Sequence, residues 1–217
     1  MIKVENIDAY GFDHAVKAMR NPMNSWDNSD SKWEIFTPEY PNLSEAKYVI
    51  GKNDLDLMKR LYKAGTEHRT YARMIYVWMD ITAPLYWWKE MDRYGVGKSQ
   101  VSTSTMHKIH AKEFTLDDFS HEHLNISAIS TLEYVIEQLN LDRNAYYNSK
   151  DKHYWWQMIQ LLPSSYNQKR TVCMSYETVF KIIKERTGHR LDEWNEFVEI
   201  LKDLPYVKEI IEDGIET

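Results

Sequence analysis

Cysteine is almost missing from this sequence: Cys173 stands alone. A single thiol excludes an internal disulfide and a cysteine-built zinc site, and it fits a reducing compartment. Excess positive charge is missing too. Twenty-seven Lys and Arg against 33 Asp and Glu leave a formal net charge of -6, which argues against nonspecific binding to nucleic acid, because that needs a basic face to displace counterions. No apolar run approaches the ~20 residues of a membrane span. The opening "MIKVENIDAYGF" lacks the basic start and apolar middle of a secretory leader. The expectation is a cytoplasmic chain that binds neither membrane nor nucleic acid. With only seven Gly and six Pro, the composition is not that of a low-complexity or disordered chain.

What is present is a globular mixture, 43% hydrophobic and 28% charged, in a length that one well-filled domain accommodates. A single domain over residues 1–217 is expected. Eight Trp and fifteen Tyr, including the "YWW" triplets at 86–88 and 154–156, supply large area with a polar handle, suited to a core, a subunit interface or a flat-ring ligand.

Periodicity predicts the elements. "IKVENIDAY" alternates and reads as a strand, and "FDHAVKAMR" has helical spacing. "NPMNSWDNSDSKWEIFTPEYPNLSEAK" is rich in Asn, Ser, Asp and Pro and reads as a long irregular excursion. "NDLDLMKRLYKAG" reads as a helix capped by Asn53 and ended near Gly65, "TYARMIYVWMDIT" as a strand, and "APLYWWKEMDRYG" as a helix with Pro84 in its first turn and Gly95 as its stop. "TLDDFSHEHL", "ISAISTLEYVIEQLNLDRNAYYN" and "DKHYWWQMIQLLP" read as helices, the second with Ile129, Leu132, Val135, Ile136 and Leu139 on one face. Two more amphipathic helices follow Pro163, broken near Gly188 and Pro205. The fold class is α+β, a small mixed sheet packed with helices and a helical C-terminal half.

Chemistry concentrates in "GVGKSQVSTST", residues 95–105. Gly95 and Gly97 free backbone N–H groups, Ser99, Ser102 and Ser104 offer hydroxyls, and Lys98 offers a cation, which are the parts a phosphate monoester needs. The same composition also suits a polar edge strand or loop. No Walker-type loop is present, since Asp92 lies five residues before Gly97 where the first glycine would stand. His107, His110, His121 and His123, with Asp117 or Asp118, have spacings that can place imidazoles on one metal, or they line a polar segment without a ligand. Cys173 has no adjoining His and an apolar setting, the pattern of a structural thiol rather than a nucleophile. His68 sits at the junction of a helix and the aromatic strand.

The order of these parts resembles the flavin-dependent thymidylate synthases. Their signature, RHR-x-x-S followed by x-S-Q-Q-S-x-R, falls without gaps on "DRYGVGKSQVSTS", residues 92–104, where Ser99, Gln100 and Ser102 match. "TEHRTYARMIYVWMDITAPLYWWKEM" is similar to the approach to that motif, with His68 at the flavin-touching histidine. "LLPSSY" resembles its LP-x-x-x-Y region, and "FKIIKERTGHRLDEW" its closing segment, with Arg186 at a nucleotide-gripping arginine. The resemblance covers roughly residues 1–200. Five departures stand out: Asp92 and Tyr94 replace the two arginines of RHR and Arg93 its histidine, Gly97 replaces the first serine, and Ser104 the last arginine. Lys89, Arg93, Lys98, Lys169 and Arg170 are the cations from which charge can be restored.

The resemblance implies an enzyme that binds FAD through His68, Arg93, Ser99 and Gln100, and a pyrimidine nucleotide such as dUMP through Ser102, Lys98 and Arg186. It implies methylenetetrahydrofolate and NADPH as co-substrates and no catalytic protein nucleophile; no residue is assigned to a metal. The implied reaction is reductive methylation of dUMP to dTMP or a related one-carbon modification. It further implies a homotetramer with sites between chains. The alternative is a noncatalytic protein on the same scaffold that sequesters or senses a nucleotide.

Overall fold

The computed structural model describes residues 2–36 and 45–211. Two compact units divide the chain. The first gathers Met1–Asn6, Met79–Gly95 and Ser99–Val172, and the second Ile7–Trp78, Val96–Lys98 and Cys173–Thr217. Strands β1 (Lys3–Tyr10), β4 (Tyr76–Pro84), β5 (Lys98–Ser102) and β6 (Asn167–Ser175) form one sheet in the order β1-β4-β6-β5, so β5 is an edge strand. Strand β4 shows why the aromatic stretch extends. Val77, Met79, Ile81 and Ala83 are buried and alternate with the exposed Tyr76 and Trp78, the period of a pleated strand.

In the first unit, α3 (Leu85–Met91) follows β4, and α4 (Ile126–Ser149) and α5 (Lys152–Leu161) form a helical pair. As the spacing predicts, α4 buries Leu132, Ile136 and Leu139, against Ile109, Phe114, Phe119 and Met158. Each such side chain contributes about 1.5–3 kcal/mol of hydrophobic burial. Asn125 caps α4 by accepting from the Ala128 N–H. Asn140 then bonds both backbone groups of Phe114 at 2.9 Å, which holds the preceding segment against the helix.

The second unit holds α1 (Phe12–Arg20), the antiparallel ribbon of β2 (Lys32–Phe36) and β3 (Glu45–Val49), α2 (Lys52–Lys63), α6 (Tyr176–Arg186), α7 (Asp192–Lys202) and the short α8 (Val207–Ile211). Its interior includes Met58, Tyr71, Tyr176, Phe180, Trp194 and Phe197. A buried ion pair ties α1 to α2: Arg20 Nε donates to Asp54 Oδ1 at 2.6 Å, and the hydroxyls of Ser29 and Ser31 donate to Asp54 Oδ2. Burial by itself would raise the Asp54 pKa, but the Ser31 and Ser29 hydroxyls and Arg20 outweigh it and hold the carboxyl below its ordinary value.

Four sequence expectations are corrected. The excursion from Asn21 contains the β2–β3 ribbon, while its residues 37–44 lie outside the described ones. Asn53 is not the cap of α2; Asp30 accepts the N–H groups of Asn53 and Asp54 instead, so the cap comes from a segment 23 residues earlier. "TLDDFSHEHL" forms only a 3-10 turn at Leu116–Asp118, because Phe119 is drawn out into an antiparallel bridge with Tyr166. The C-terminal half also contains β6. Its inward alternation was hidden because polar Gln168 occupies a buried position alongside Val172 and Met174. Among the described residues, no helix is long and apolar enough to cross a membrane.

Candidate functional site

The stretch that matches the signature is an exposed strand edge. Ser99, Gln100 and Ser102 lie on β5 and are exposed, as is Arg93 in the turn after α3. Tyr94, where the signature has its second arginine, is a core residue, 4% exposed. Asp92, at the first arginine position, accepts from Gln100 Nε2 at 2.6 Å and from Arg170 Nη1 at 2.8 Å. Arg170 lies over the Trp88 ring, 4.2 Å from its centroid, and donates from Nε to Gln168 Oε1 at 3.0 Å. Trp88 Nε1 in turn donates to the Gln168 carbonyl at 2.9 Å. Asp92 is thus held in an internal cluster in which both Gln100 and Arg170 are engaged. Lys169 is likewise paired, 3.0 Å from Asp80.

Beside this edge, still within the first unit, is a cavity of about 560 Å³. Thr103 and Ser104, directly after β5, form part of its wall, with Lys108, Lys112 and Lys169 as cations and Phe114 and Tyr166 as flat apolar surfaces. Lys112 pairs with Asp118, whose hydrogen bond raises the ammonium pKa. Burial first, then the Asp118 charge, raises the Tyr166 phenol, so it stays protonated and able to donate at neutral pH. Lys108 forms no ion pair with any described residue. Asp117 and Asp118 line the same cavity, so hydroxyls, ammonium groups, carboxylates and aromatic walls meet in a space that suits a small polar molecule bearing a ring. Sequence reasoning missed Lys108, Lys112 and Tyr166. The i, i+4 lysines of "HKIHAKEF" were a signal, overshadowed by the histidines among them.

The second unit holds the other three assigned residues. His68 is exposed in the turn after α2, with its backbone N–H bonded to the Gly65 carbonyl. Arg186, half-buried at the end of α6, lies over Trp194 at 4.6 Å and donates to His189 Nε2 at 3.0 Å. Lys98 is half-buried at the start of β5. The structure therefore brings Gln100 and, through Asp92, the turn carrying Arg93 together within one unit, and places His68, Lys98 and Arg186 in the other. Gly97 has φ +71°, and a Cβ there would meet Ser175 Oγ at 2.7 Å and Thr178 Oγ1 at 3.0 Å. Ser175 caps α6 and Thr178 Oγ1 donates to the Val96 carbonyl, so neither hydroxyl is placed to yield.

Burial raises the Cys173 thiol pKa, the opposite of what a nucleophile needs. Among the described residues no group of three or more His, Cys, Asp or Glu is arranged to hold a metal ion. Instead His121 Nδ1 meets the Phe119 carbonyl at 2.8 Å, and His110 stands edge-on to Tyr146.

No protein-family model and no curated protein matches the chain by sequence. Solved structures do match by shape. A flavin-dependent thymidylate synthase from Helicobacter pylori, complexed with FAD and dUMP, has a TM-score of 0.65 at 17% identity over 97% of this chain and 98% of its own. A second structure of thymidylate synthase X from that organism, also with FAD and dUMP, gives 0.67 at 16% identity over the whole of both chains. A UMP/dUMP methylase from Streptomyces cacaoi, bound to 5-Br dUMP, gives 0.67 at 14% over 98% of this chain and 95% of its own. From end to end, the chain has the α+β fold of the flavin-dependent thymidylate synthases.

Proposed function

We propose that this chain binds a pyrimidine nucleotide such as dUMP together with FAD and carries out a one-carbon modification of the base, reductive methylation to dTMP being the first case. The observation that carries the reading is the end-to-end fold match to structures solved with FAD and dUMP or with a dUMP analogue. In this reading residues 1–217 act as one domain. His68, Arg93, Ser99 and Gln100 hold the cofactor, and Ser102, Lys98 and Arg186 hold the nucleotide. The exposed Arg93 guanidinium and Ser99 hydroxyl fit a phosphate-bearing cofactor, since both keep donors open to solvent. When bound, the flavin supplies hydride, methylenetetrahydrofolate the carbon and NADPH the reducing equivalents. The chain's own task is to bind, orient and exclude water, and the raised pKa of Cys173 agrees with a reaction that asks no nucleophile of the protein.

One observation favours a second reading, a noncatalytic nucleotide binder on this fold. Asp92 engages Gln100 and Arg170 where the signature would present arginine to a ligand. The visible absorbance spectrum of the purified protein, taken after adding FAD with and without dUMP and removing unbound ligand, separates the two. Retained flavin bands that dUMP perturbs support the enzyme. No flavin but a dUMP-dependent rise in melting temperature supports the binder, and neither response sinks both. In either reading, Ser102→Ala and Arg186→Ala each weaken dUMP binding about tenfold, the scale of one charge-assisted hydrogen bond. Unchanged affinity in both variants would overturn the assigned nucleotide site.

A further inference from the structure

None of the residues assigned to flavin or nucleotide lines a cavity of about 620 Å³ in the second unit, whose wall is built from Arg20, Lys59, Arg60, Lys63 and Asp56 with the amides of Asn28 and Asn53. Helix α2 presents Asp56, Lys59, Arg60 and Lys63 at i, i+3, i+4 and i+7, so they share one face. Arg20 is fixed beneath them. Its side chain is 6% exposed, Nε is spent on Asp54 at 2.6 Å, and Nη1 donates to the Ser25 carbonyl at 3.2 Å. Its Nη2 makes no hydrogen bond to any described residue, so this is the nitrogen Arg20 has left to offer.

The charge balance is favourable to an anion. Asp54 offsets Arg20, and Asp56 offsets one of the three helix cations, which leaves an excess of two positive charges on the wall of a chain whose net charge is -6. The Arg60 guanidinium makes one hydrogen bond, to the Asp56 backbone carbonyl, and the Lys63 ammonium pairs with no described residue. Asp54 cannot compete for a new ligand's donors, since it already accepts from Arg20, Ser29, Ser31 and the backbone of Asp30 and Ser31. From Lys59 to Lys63 the helix rises about 6 Å, a reach that spans linked phosphates rather than one. A guanidinium locked by a buried carboxylate adds a donor whose ordering cost is already met by folding.

We propose that this cavity is a second anion site that takes a polyphosphate-bearing small molecule, the triphosphate of a nucleotide being the class that fits. The site is made by α1, α2 and the turn between α1 and β2, and it does not depend on the flavin reading. The test is calorimetric titration of the full chain with inorganic tripolyphosphate at fixed ionic strength. Saturable binding is expected. The double variant Arg60→Ala/Lys63→Ala should bind about tenfold or more weakly with an unchanged circular dichroism spectrum, as both side chains are exposed. Lys169→Ala, in the other unit, should bind as the parent does. Absence of saturable binding, or a double variant that binds tripolyphosphate as tightly as the parent, overturns the site. The affinity for dUMP is expected to be the same in the double variant, so a failure here leaves the first proposal standing.

Discussion

Gly97 stands at the first serine of the signature, and its surroundings explain why no serine is there. A φ of +71° is costly for any residue with a Cβ, and the space that Cβ needs is held by Ser175 and Thr178. Gly97→Ser is therefore expected to lower stability by about 2 kcal/mol or more, read as a reduced urea midpoint at unchanged slope. A variant as stable as the parent would show that the backbone at 97 can relax, and the signature serine could then be restored to test its effect on flavin. Asp92 follows the same logic. Once Arg170 is stacked on Trp88 and bonded to Asp92, its guanidinium is lost to a ligand but the carboxylate no longer stands as an uncompensated charge beside one.

At the scale of elements, one carboxylate links three strands. Asp80 on β4 accepts from Thr171 on β6 at 2.6 Å and from Asn6 on β1 at 3.0 Å, and pairs with Lys169 on β6. The Thr171 hydroxyl first, then Asn6 and Lys169, lower its pKa to about 2. Because the folded value lies below the ordinary 3.8, the contribution is fully present above that pH and is lost as pH falls toward 2. Urea midpoints across this window should fall less steeply in Asp80→Asn than in the parent, and parallel curves would show that Asp80 is not a stability determinant. The sequence made β1, α1, β4, α4, α5 and α7 legible through the spacing of their apolar residues and, for β4, its density of β-branched and aromatic side chains. It concealed β6, where Gln168 takes an inward position by bonding the Thr103 carbonyl, and the start of α2, where the cap is Asp30 rather than a neighbour. Of the candidate site, the β5 hydroxyls were legible from the signature. The internal partners of Asp92 were not, since Arg170 is 78 residues away along the chain and no local pattern announces such a pair.

For the whole molecule, the question is what covers the aromatic surface. Within the second unit Tyr10, Trp33 and Trp78 are 61%, 59% and 41% exposed, and within the first Tyr134, Tyr147 and Trp156 are 69%, 63% and 43% exposed. Side chains of this kind are enriched where subunits meet, because they bring large apolar area without an unpaired charge. The resemblance implies a homotetramer with sites between chains, and we expect sedimentation equilibrium to return about four chain masses. Tyr134→Glu and Trp78→Glu introduce a charge that an interface would have to desolvate, so each is expected to shift the protein toward smaller species. If flavin and dUMP bind between chains, these variants lose both ligands. They keep tripolyphosphate, because neither Trp78 nor Tyr134 lines the α2 cavity. A parent protein that sediments as a single chain while still retaining flavin would overturn the shared-site expectation and leave the whole cofactor site within one chain.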